Sequence, residues 1–133
     1  MLASPFLDSN ILIYAYGDDP KTKRAQSICS RPHVISVQSL NEFASVMHRK
    51  MRYDWDRIRP CLVSILDLAE QVLPLTVETH KIGIALAERY KLQVYDGMVL
   101  AAALEAGCDK LYSEDMQNGM IIEDSLTIRN PFA

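Results

Sequence analysis

Four acidic residues, Asp8, Glu42, Asp96 and Asp115, are placed where a fold could bring them into one site, and none has a matching basic partner nearby in sequence. Carboxylates brought together repel one another, so their pKa values rise unless a cation joins them. One or two divalent cations would compensate the charge of such a cluster. All-oxygen ligands suit Mg²⁺ or Mn²⁺ rather than zinc. A metal centre of this kind performs phosphoryl chemistry, because it lowers the pKa of bound water and stabilises charge on the phosphate.

Each of these acids also has a purely structural explanation. Asp8 and Asp96 each precede helical sequence and could be N-caps. Ser39 and Glu42 match the capping box, in which the glutamate bonds back to the backbone of the cap residue. Asp115 follows a strand and could belong to a turn. The caps do not explain why four unpartnered acids fall at corresponding positions, so both interpretations stay open.

An alternation of strands and helices must position these residues. Strands are predicted at 6–7, 33–36, 71–75, 110–113 and 126–129, and helices at 10–16, 21–30, 39–51, 54–68, 79–92 and 95–105. This order predicts an α/β fold, a three-layer α/β/α domain whose central, mostly parallel sheet has about five strands. Right-handed crossovers then place every parallel strand's carboxyl end at one edge of the sheet, where ligands bind in this architecture.

The four acids map to that edge. Asp8 follows the first strand, and Asp115 follows the fourth. Glu42 is expected in the first turn of the helix after the second strand, and Asp96 begins the Ala-rich helix. The apolar stripe of that helix runs beneath Asp96, so its carboxylate should be buried at the sheet edge, where it needs a partner.

Composition limits the class of protein. The chain has 133 residues, enough for one domain, and 49% of them are hydrophobic, which supports a normal core. A net charge of −3 argues against non-specific coating of nucleic acid. The three cysteines, Cys29, Cys61 and Cys108, form no C-x-x-C pair and are predicted to be reduced residues of a cytoplasmic protein. No signal peptide or membrane span is expected.

Several short segments, in this order, together resemble a PIN domain, and the resemblance covers essentially the whole chain. They are Leu7-Asp8-Ser9-Asn10-Ile11-Leu12, Asn41-Glu42, Tyr95-Asp96-Gly97-Met98 and Leu111-Tyr112-Ser113-Glu114-Asp115. The ending, Arg129-Asn130-Pro131-Phe132, is similar to that of the VapC-type ribonuclease toxins of toxin–antitoxin pairs. The resemblance implies a single PIN domain over residues 1–133 that acts as an endoribonuclease dependent on Mg²⁺ or Mn²⁺.

The resemblance also assigns residues to roles. Carried over as metal-binding, catalytic acids are Asp8, Glu42, Asp96 and Asp115. Ser113 matches a hydroxyl position that supports the site by hydrogen bonding, and Asn10 is expected to do the same. The chain departs from the family pattern at Gly97, where Ala or Ser is more usual, and at Glu114, an additional acid that could contribute directly or through water. Members of the toxin branch commonly form homodimers and are inhibited by a cognate antitoxin that covers the acidic cleft.

A basic segment offers a place for RNA. Residues 49–59 contain five basic and two acidic residues, with Tyr53 and Trp55 between them. The structural interpretation is a solvated pair of helices with ordinary packing aromatics. The functional interpretation is an RNA-contacting rim in which Arg49, Arg52 and Arg57 bind phosphates and an aromatic residue stacks on a base. The functional interpretation predicts that replacing Arg52 and Arg57 by Ala weakens RNA binding and leaves metal binding intact.

Two other functions fit the same fold class. A phosphoacceptor signalling domain of similar topology needs paired acids after the first strand and a lysine near the last, but here Ser9 follows Asp8 and no suitable lysine is found. A non-catalytic PIN-like scaffold would act only through partners. Retention of all four acids disfavours it, because clustered unpaired carboxylates are costly to keep.

Overall fold

The structure is a computed structural model that describes residues 3–133. Within them the chain forms six strands and six helices that alternate in the predicted manner. In chain order the elements are β1 (Phe6–Leu7), α1 (Ser9–Ala15), α2 (Thr22–Cys29), β2 (Val34–Ser36), α3 (Val37–Arg49), α4 (Trp55–Leu68), β3 (Gln71–Leu73), α5 (Val77–Tyr90), α6 (Val94–Glu105), β4 (Lys110–Tyr112), β5 (Ile121–Ile122) and β6 (Leu126–Arg129).

The strands form one sheet in the order β3-β2-β1-β4-β6-β5, parallel except for β5, which pairs antiparallel with β6. The mostly parallel sheet is therefore confirmed, although it has six strands rather than about five. The missed strand, β5, has two residues, and its turn to β6 places Glu123 and Asp124 at φ 50° and 55°. These residues adopt a left-handed conformation that hairpin turns usually assign to Asn or Gly, so the turn lacked its usual sequence signal.

Helices cover both faces of the sheet, as expected for the three-layer fold. Successive strand residues point to opposite faces. Phe6 and Val34 join the core under α5 and α6, whereas Leu7 and Ile35 join the core under α1 to α4. None of the helices in residues 3–133 combines the length and apolarity needed to cross a membrane.

The start of α3 differs from the prediction. Ser36, not Ser39, is the N-cap, and these two residues form the capping box through side-chain to backbone bonds in both directions. The predicted box between Ser39 and Glu42 is wrong, because the β2 strand passes directly into the helix and its last residue takes the cap position. Glu42 is consequently the sixth residue of α3, in its second turn rather than its first.

Candidate active site

Asp8 lies at the carboxyl end of β1, where parallel pairing with β4 places it beside Ser113. The backbone N–H of Asp8 donates to the carbonyl oxygen of Tyr112 at 3.0 Å. The Asp8 carboxylate caps α1 by accepting from the Ser9 backbone N–H at 2.8 Å, and it accepts from Ser113 Oγ at 2.7 Å. The capping interpretation of Asp8 is thus confirmed, and the same buried carboxylate also faces the other acids.

Burial raises the pKa of Asp8 to about 6, even though the bonds from Ser113 and Ser9 favour the ionised form. The charges of Glu42 and Asp115 raise the pKa of Asp8 further. A carboxyl group that is ionised at neutral pH against its desolvation and two like charges benefits from a nearby cation. Asp8 therefore has the electrostatic character expected of a cation ligand.

The loop after β4 holds Asp115 next to Asp8. Ser113 is completely buried, and its hydroxyl accepts from the Asp115 backbone N–H at 3.3 Å while donating to Asp8. Asn10 Nδ2 lies 3.2 Å from Asp115 Oδ2 and 3.4 Å from Asp8 Oδ2, and Asn10 Oδ1 accepts from the Glu114 backbone N–H at 3.3 Å. Ser113 and Asn10 thus hydrogen-bond to two of the four acids.

Glu42 is half-buried and is held by two residues that sequence analysis did not single out. Its Oε2 accepts from Ser9 Oγ at 3.3 Å, and its Oε1 accepts from Gln38 Nε2 at 3.0 Å. Gln38 lies four residues before Glu42 on α3, so their contact had a helical signal in the sequence. Ser9 follows Asp8 directly and links the surroundings of Glu42 to those of Asp8.

Asp96 is the third residue of α6, whose N-cap is Gln93. Asp96 is therefore not the N-cap of this helix, which removes the structural explanation proposed for it. Burial raises the pKa of Asp96, and the charges of Asp115 and Glu42 raise it further. Among residues 3–133, no side chain hydrogen-bonds to both Asp96 and another of the four acids, so Asp96 interacts with them through charge.

Glu114 is turned toward other partners. Its Oε1 accepts from the Tyr14 hydroxyl at 2.7 Å, and its Oε2 pairs with Lys21 Nζ at 2.6 Å. Burial acts to raise the pKa of Glu114, but the bonds from Lys21 and Tyr14 and the lysine charge together lower it. Lys21 is 93 residues away in sequence, so no local pattern pointed to this pair. The Glu114 carboxylate is already neutralised, unlike the four other acids.

The donor set fits a hard divalent cation. In the part of the chain that the structure describes, no lysine, arginine or histidine forms a salt bridge with Asp8, Glu42, Asp96 or Asp115. Their side chains offer only carboxylate oxygens, the kind of donor that Mg²⁺ and Mn²⁺ prefer. As the side chains stand, residues 3–133 contain no group of three or more His, Cys, Asp or Glu with the geometry of a metal site. The acids are thus close enough for their charges to raise the pKa values of Asp8 and Asp96, but they do not form a closed ligand shell.

The three predicted RNA-contacting arginines have different surroundings. Arg49 lines a groove that also contains Glu42. Arg57 covers the Tyr53 ring at 3.5 Å, and the Tyr53 hydroxyl donates to the carbonyl oxygen of Tyr16. Tyr16 follows the end of α1 that is opposite Asp8, roughly 10 Å along a helix of this length. Arg52 is exposed in the loop between α3 and α4, at φ 59°.

The family model of the PIN domain matches residues 6–117. The solved structure of VapC20 from Mycobacterium tuberculosis, described as a sarcin–ricin loop cleaving toxin, superimposes with a TM-score of 0.71 at 18% identity, over 84% of this chain and 90% of that one. A toxin–antitoxin complex from Klebsiella pneumoniae gives a TM-score of 0.71 at 22% identity, over 96% of this chain and 98% of that one. At these identities the likeness establishes a shared fold. No curated protein sequence matches significantly.

Proposed function

The chain belongs to the PIN domain family, and from this premise we propose that it is a metal-dependent endoribonuclease. The proposal treats residues 1–133 as a single PIN domain. It assigns Asp8, Glu42, Asp96 and Asp115 as the catalytic acids that hold Mg²⁺ or Mn²⁺. The observation that carries the proposal is this set of mutually repelling carboxylates, which lies at the carboxyl edge of the sheet without a basic partner among residues 3–133.

Each side chain of such a site has a different role. A bound Mg²⁺ or Mn²⁺ supplies an activated water and neutralises charge on the phosphate. Asp8 forms the floor, because it is buried and fixed by Ser113 and the Ser9 backbone. Asp115 is exposed and Asp96 is half-buried, so RNA approaches from their side. Ser113 and Asn10 act as supporting residues that hold carboxylate oxygens in place.

Glu114 and three arginines complete the proposal. Glu114 supports the site through its backbone N–H, which bonds Asn10, rather than through its carboxylate. Arg49, Arg52 and Arg57 are proposed to bind RNA phosphates. Arg49 has the strongest support, because it shares a groove with Glu42. Contacts of Arg52 and Arg57 with RNA stay predictions.

The proposed physiological role is that of a toxin in a toxin–antitoxin pair. Two structures that share the fold, one a toxin described as cleaving the sarcin–ricin loop and one a toxin–antitoxin complex, support this role. A cognate antitoxin would then restrain the nuclease by covering the acidic cleft. We also propose a homodimer and a cytoplasmic location. Buried Cys29 and Cys108, whose thiol pKa values burial raises to about 11, are consistent with unreactive core cysteines.

The decisive experiment is cleavage of a mixed pool of single-stranded and structured RNAs by purified protein freed of any partner. Reactions contain Mg²⁺, Mn²⁺ or EDTA, and the wild type is compared with Asp8→Asn. Asp67→Asn is the matched control, because Asp67 is an exposed aspartate on α4. We expect cleavage that requires metal, disappears in Asp8→Asn and is unchanged in Asp67→Asn.

Other outcomes favour the alternative functions. Folded, metal-loaded protein that cleaves no RNA supports the non-catalytic scaffold. Transfer of phosphate from a small phosphodonor to Asp8, with no RNA cleavage, supports the phosphoacceptor domain. Cleavage that survives both EDTA and Asp8→Asn assigns the activity to a contaminant or to a different site, and contradicts the proposal.

A further inference from the structure

We propose that the groove between α3 and the start of α6 binds one unpaired nucleotide of the RNA substrate, with its base on Tyr95 and its phosphate on Arg49. This inference rests on the proposed nuclease function and deepens it, since it identifies which part of the surface selects the RNA. We refer to this feature as the Tyr95 groove. Its lining includes Gln38, Asn41, Glu42, Arg49, Leu75 and Tyr95.

The Tyr95 groove has the size and surface of a small-ligand site. Its volume is about 430 Å³, within the range of pockets that enclose small organic ligands. The side chains of Tyr95 and Leu75 line it with relative exposures of 67% and 52%, so an aromatic face and an aliphatic surface are open to a ligand. Flat aromatic side chains bind unpaired bases by stacking, and the affinity depends little on base identity because every base has a π-face.

Charge and polar groups within the groove also suit a nucleotide. Arg49 is exposed on the last turn of α3, and its guanidinium forms no salt bridge with any residue in the range 3–133. Its Nε donates to Ser45 Oγ at 3.1 Å, which leaves its terminal nitrogens for a phosphate. Asn41 is exposed on the same wall and offers both a donor and an acceptor to the edge of a base.

The groove is continuous with the acidic cluster. Glu42 belongs to both, and Tyr95 immediately precedes Asp96. Gln38 Nε2 lies 3.0 Å from Glu42 Oε1 and 3.4 Å from the carbonyl oxygen of Tyr95, so one amide connects the α3 wall to the start of α6. An RNA strand that reaches the carboxylates therefore passes a stacking surface at a fixed position beside them.

This arrangement favours unpaired over paired RNA. A base within a duplex is stacked on its neighbours and has no free face for Tyr95, whereas a base in a loop or single strand can turn into the groove. The exposed aromatic of the basic segment, Trp55, is in a different setting, because its ring stacks on His48 with the centroids 4.1 Å apart. Stacking of the base on Trp55 instead of Tyr95 is the alternative that the experiment must distinguish.

The test measures RNA binding in the Asp8→Asn background, so that cleavage does not interfere. The probes are a fluorescent single-stranded RNA and a duplex of the same sequence, both titrated at several salt concentrations. Tyr95→Ala is expected to weaken single-strand binding about tenfold and duplex binding less than twofold. Tyr95→Phe keeps the aromatic face and is expected to bind within about twofold of its parent. Both variants should fold, because no hydrogen bond of the Tyr95 side chain is present in residues 3–133.

An arginine pair tests the phosphate contact. Arg49→Ala should weaken binding to single-stranded RNA and reduce the slope of log affinity against log salt by about one. The matched control is Arg31→Ala, because Arg31 is exposed at the opposite edge of the sheet, in a cavity with Pro5 and Lys110. Arg31→Ala should leave the affinity within about twofold of the parent and the slope essentially unchanged.

The outcomes separate this inference from the function on which it rests. RNA binding that is unchanged by Tyr95→Ala, in a protein whose wild type cleaves RNA with metal, overturns the inference alone. The same holds if Trp55→Ala weakens single-strand binding and Tyr95→Ala does not, or if Tyr95→Ala only dissociates a dimer or an antitoxin complex. A wild type that neither binds nor cleaves RNA overturns both.

Discussion

Replacing Asp8 by Asn is expected to stabilise the metal-free protein at pH 8. The pKa of Asp8 is raised from 3.8 to about 6 in the folded state, so the folded protein binds its proton more tightly than the unfolded chain. The free energy of unfolding of the wild type therefore falls as pH rises from 3.8 to about 6. Above this range the whole cost of the buried charge is present. A difference of about two pKa units corresponds to about 3 kcal/mol in the free energy of unfolding, with about 1.4 kcal/mol per unit.

Asparagine is a well-matched replacement at this position. Its side-chain oxygen can still accept from the Ser9 backbone N–H, because Asn is as good an N-cap as Asp. The Ser113 hydroxyl can rotate and accept from the new amide, since a hydroxyl is both donor and acceptor. The substitution therefore removes the buried charge and keeps the volume and the cap.

The assay is urea unfolding of wild type and Asp8→Asn in EDTA at pH 4 and pH 8. At pH 4 the two proteins should have nearly the same free energy of unfolding, and at pH 8 the variant should be more stable by as much as about 3 kcal/mol. Mg²⁺ at a hundred times its dissociation constant should then raise wild-type stability by about 2.7 kcal/mol and affect the variant much less.

The exposed-aspartate variant, Asp67→Asn, controls for the general loss of one negative charge and should change little with pH. If Asp8→Asn is instead less stable than the wild type at pH 8 in EDTA, the Asp8 charge is stabilised by groups within the protein. The site would then need no cation, which contradicts both the electrostatic argument and the proposed metal site.

Four further substitutions test individual contacts. Ser113→Ala should lower metal-dependent cleavage about 10- to 100-fold at saturating RNA, because it removes the donor to the Asp8 carboxylate; unchanged cleavage would show that Ser113 only packs. Asp115→Asn should weaken Mg²⁺ binding, measured calorimetrically, at least tenfold, while Glu114→Gln changes it less than threefold, and the reverse order would make Glu114 the ligand. Gly97→Ala should lower the free energy of unfolding by about 1–3 kcal/mol in thermal or urea melts, because a Cβ at Gly97 would lie 2.3 Å from the Gly83 carbonyl oxygen. Stabilisation by this alanine would rule out so close an approach of α5 and α6.

The order and type of the main elements followed from sequence because they depend on local patterns. Each predicted helix is present within a few residues of its predicted ends, and the four longer strands and β1 lie where β-rich runs were found. The alternation of strands with helices also predicted helices on both faces of the sheet, and Phe6 and Leu7 do join cores on opposite faces. The exceptions were features without a strong local signal: β5, its left-handed turn at Glu123 and Asp124, and the cap at Ser36.

The approach of the four acids to one edge was also accessible from sequence. Parallel strands with right-handed crossovers bring strand ends and helix starts together whatever their separation along the chain. The resemblance to a PIN domain further implied that Ser113 and Asn10 support the site, and both residues hydrogen-bond to acids of the cluster, Asp8 and Asp115. Their roles in catalysis stay predictions until the cleavage experiments are done.

The sequence by itself therefore determined the chemistry that is available: four carboxylates on the carboxyl edge of a parallel sheet, in a chain of the PIN domain family. Only the tertiary structure decided which charged side chains pair with each other. Lys21 neutralises Glu114 and leaves Asp115 without a basic partner in residues 3–133, while Arg49 lines a groove with Glu42 and Arg57 lies on Tyr53. The physical reason is that helix packing sets distances of a few ångströms between residues far apart in sequence, and electrostatic pairing depends on those distances.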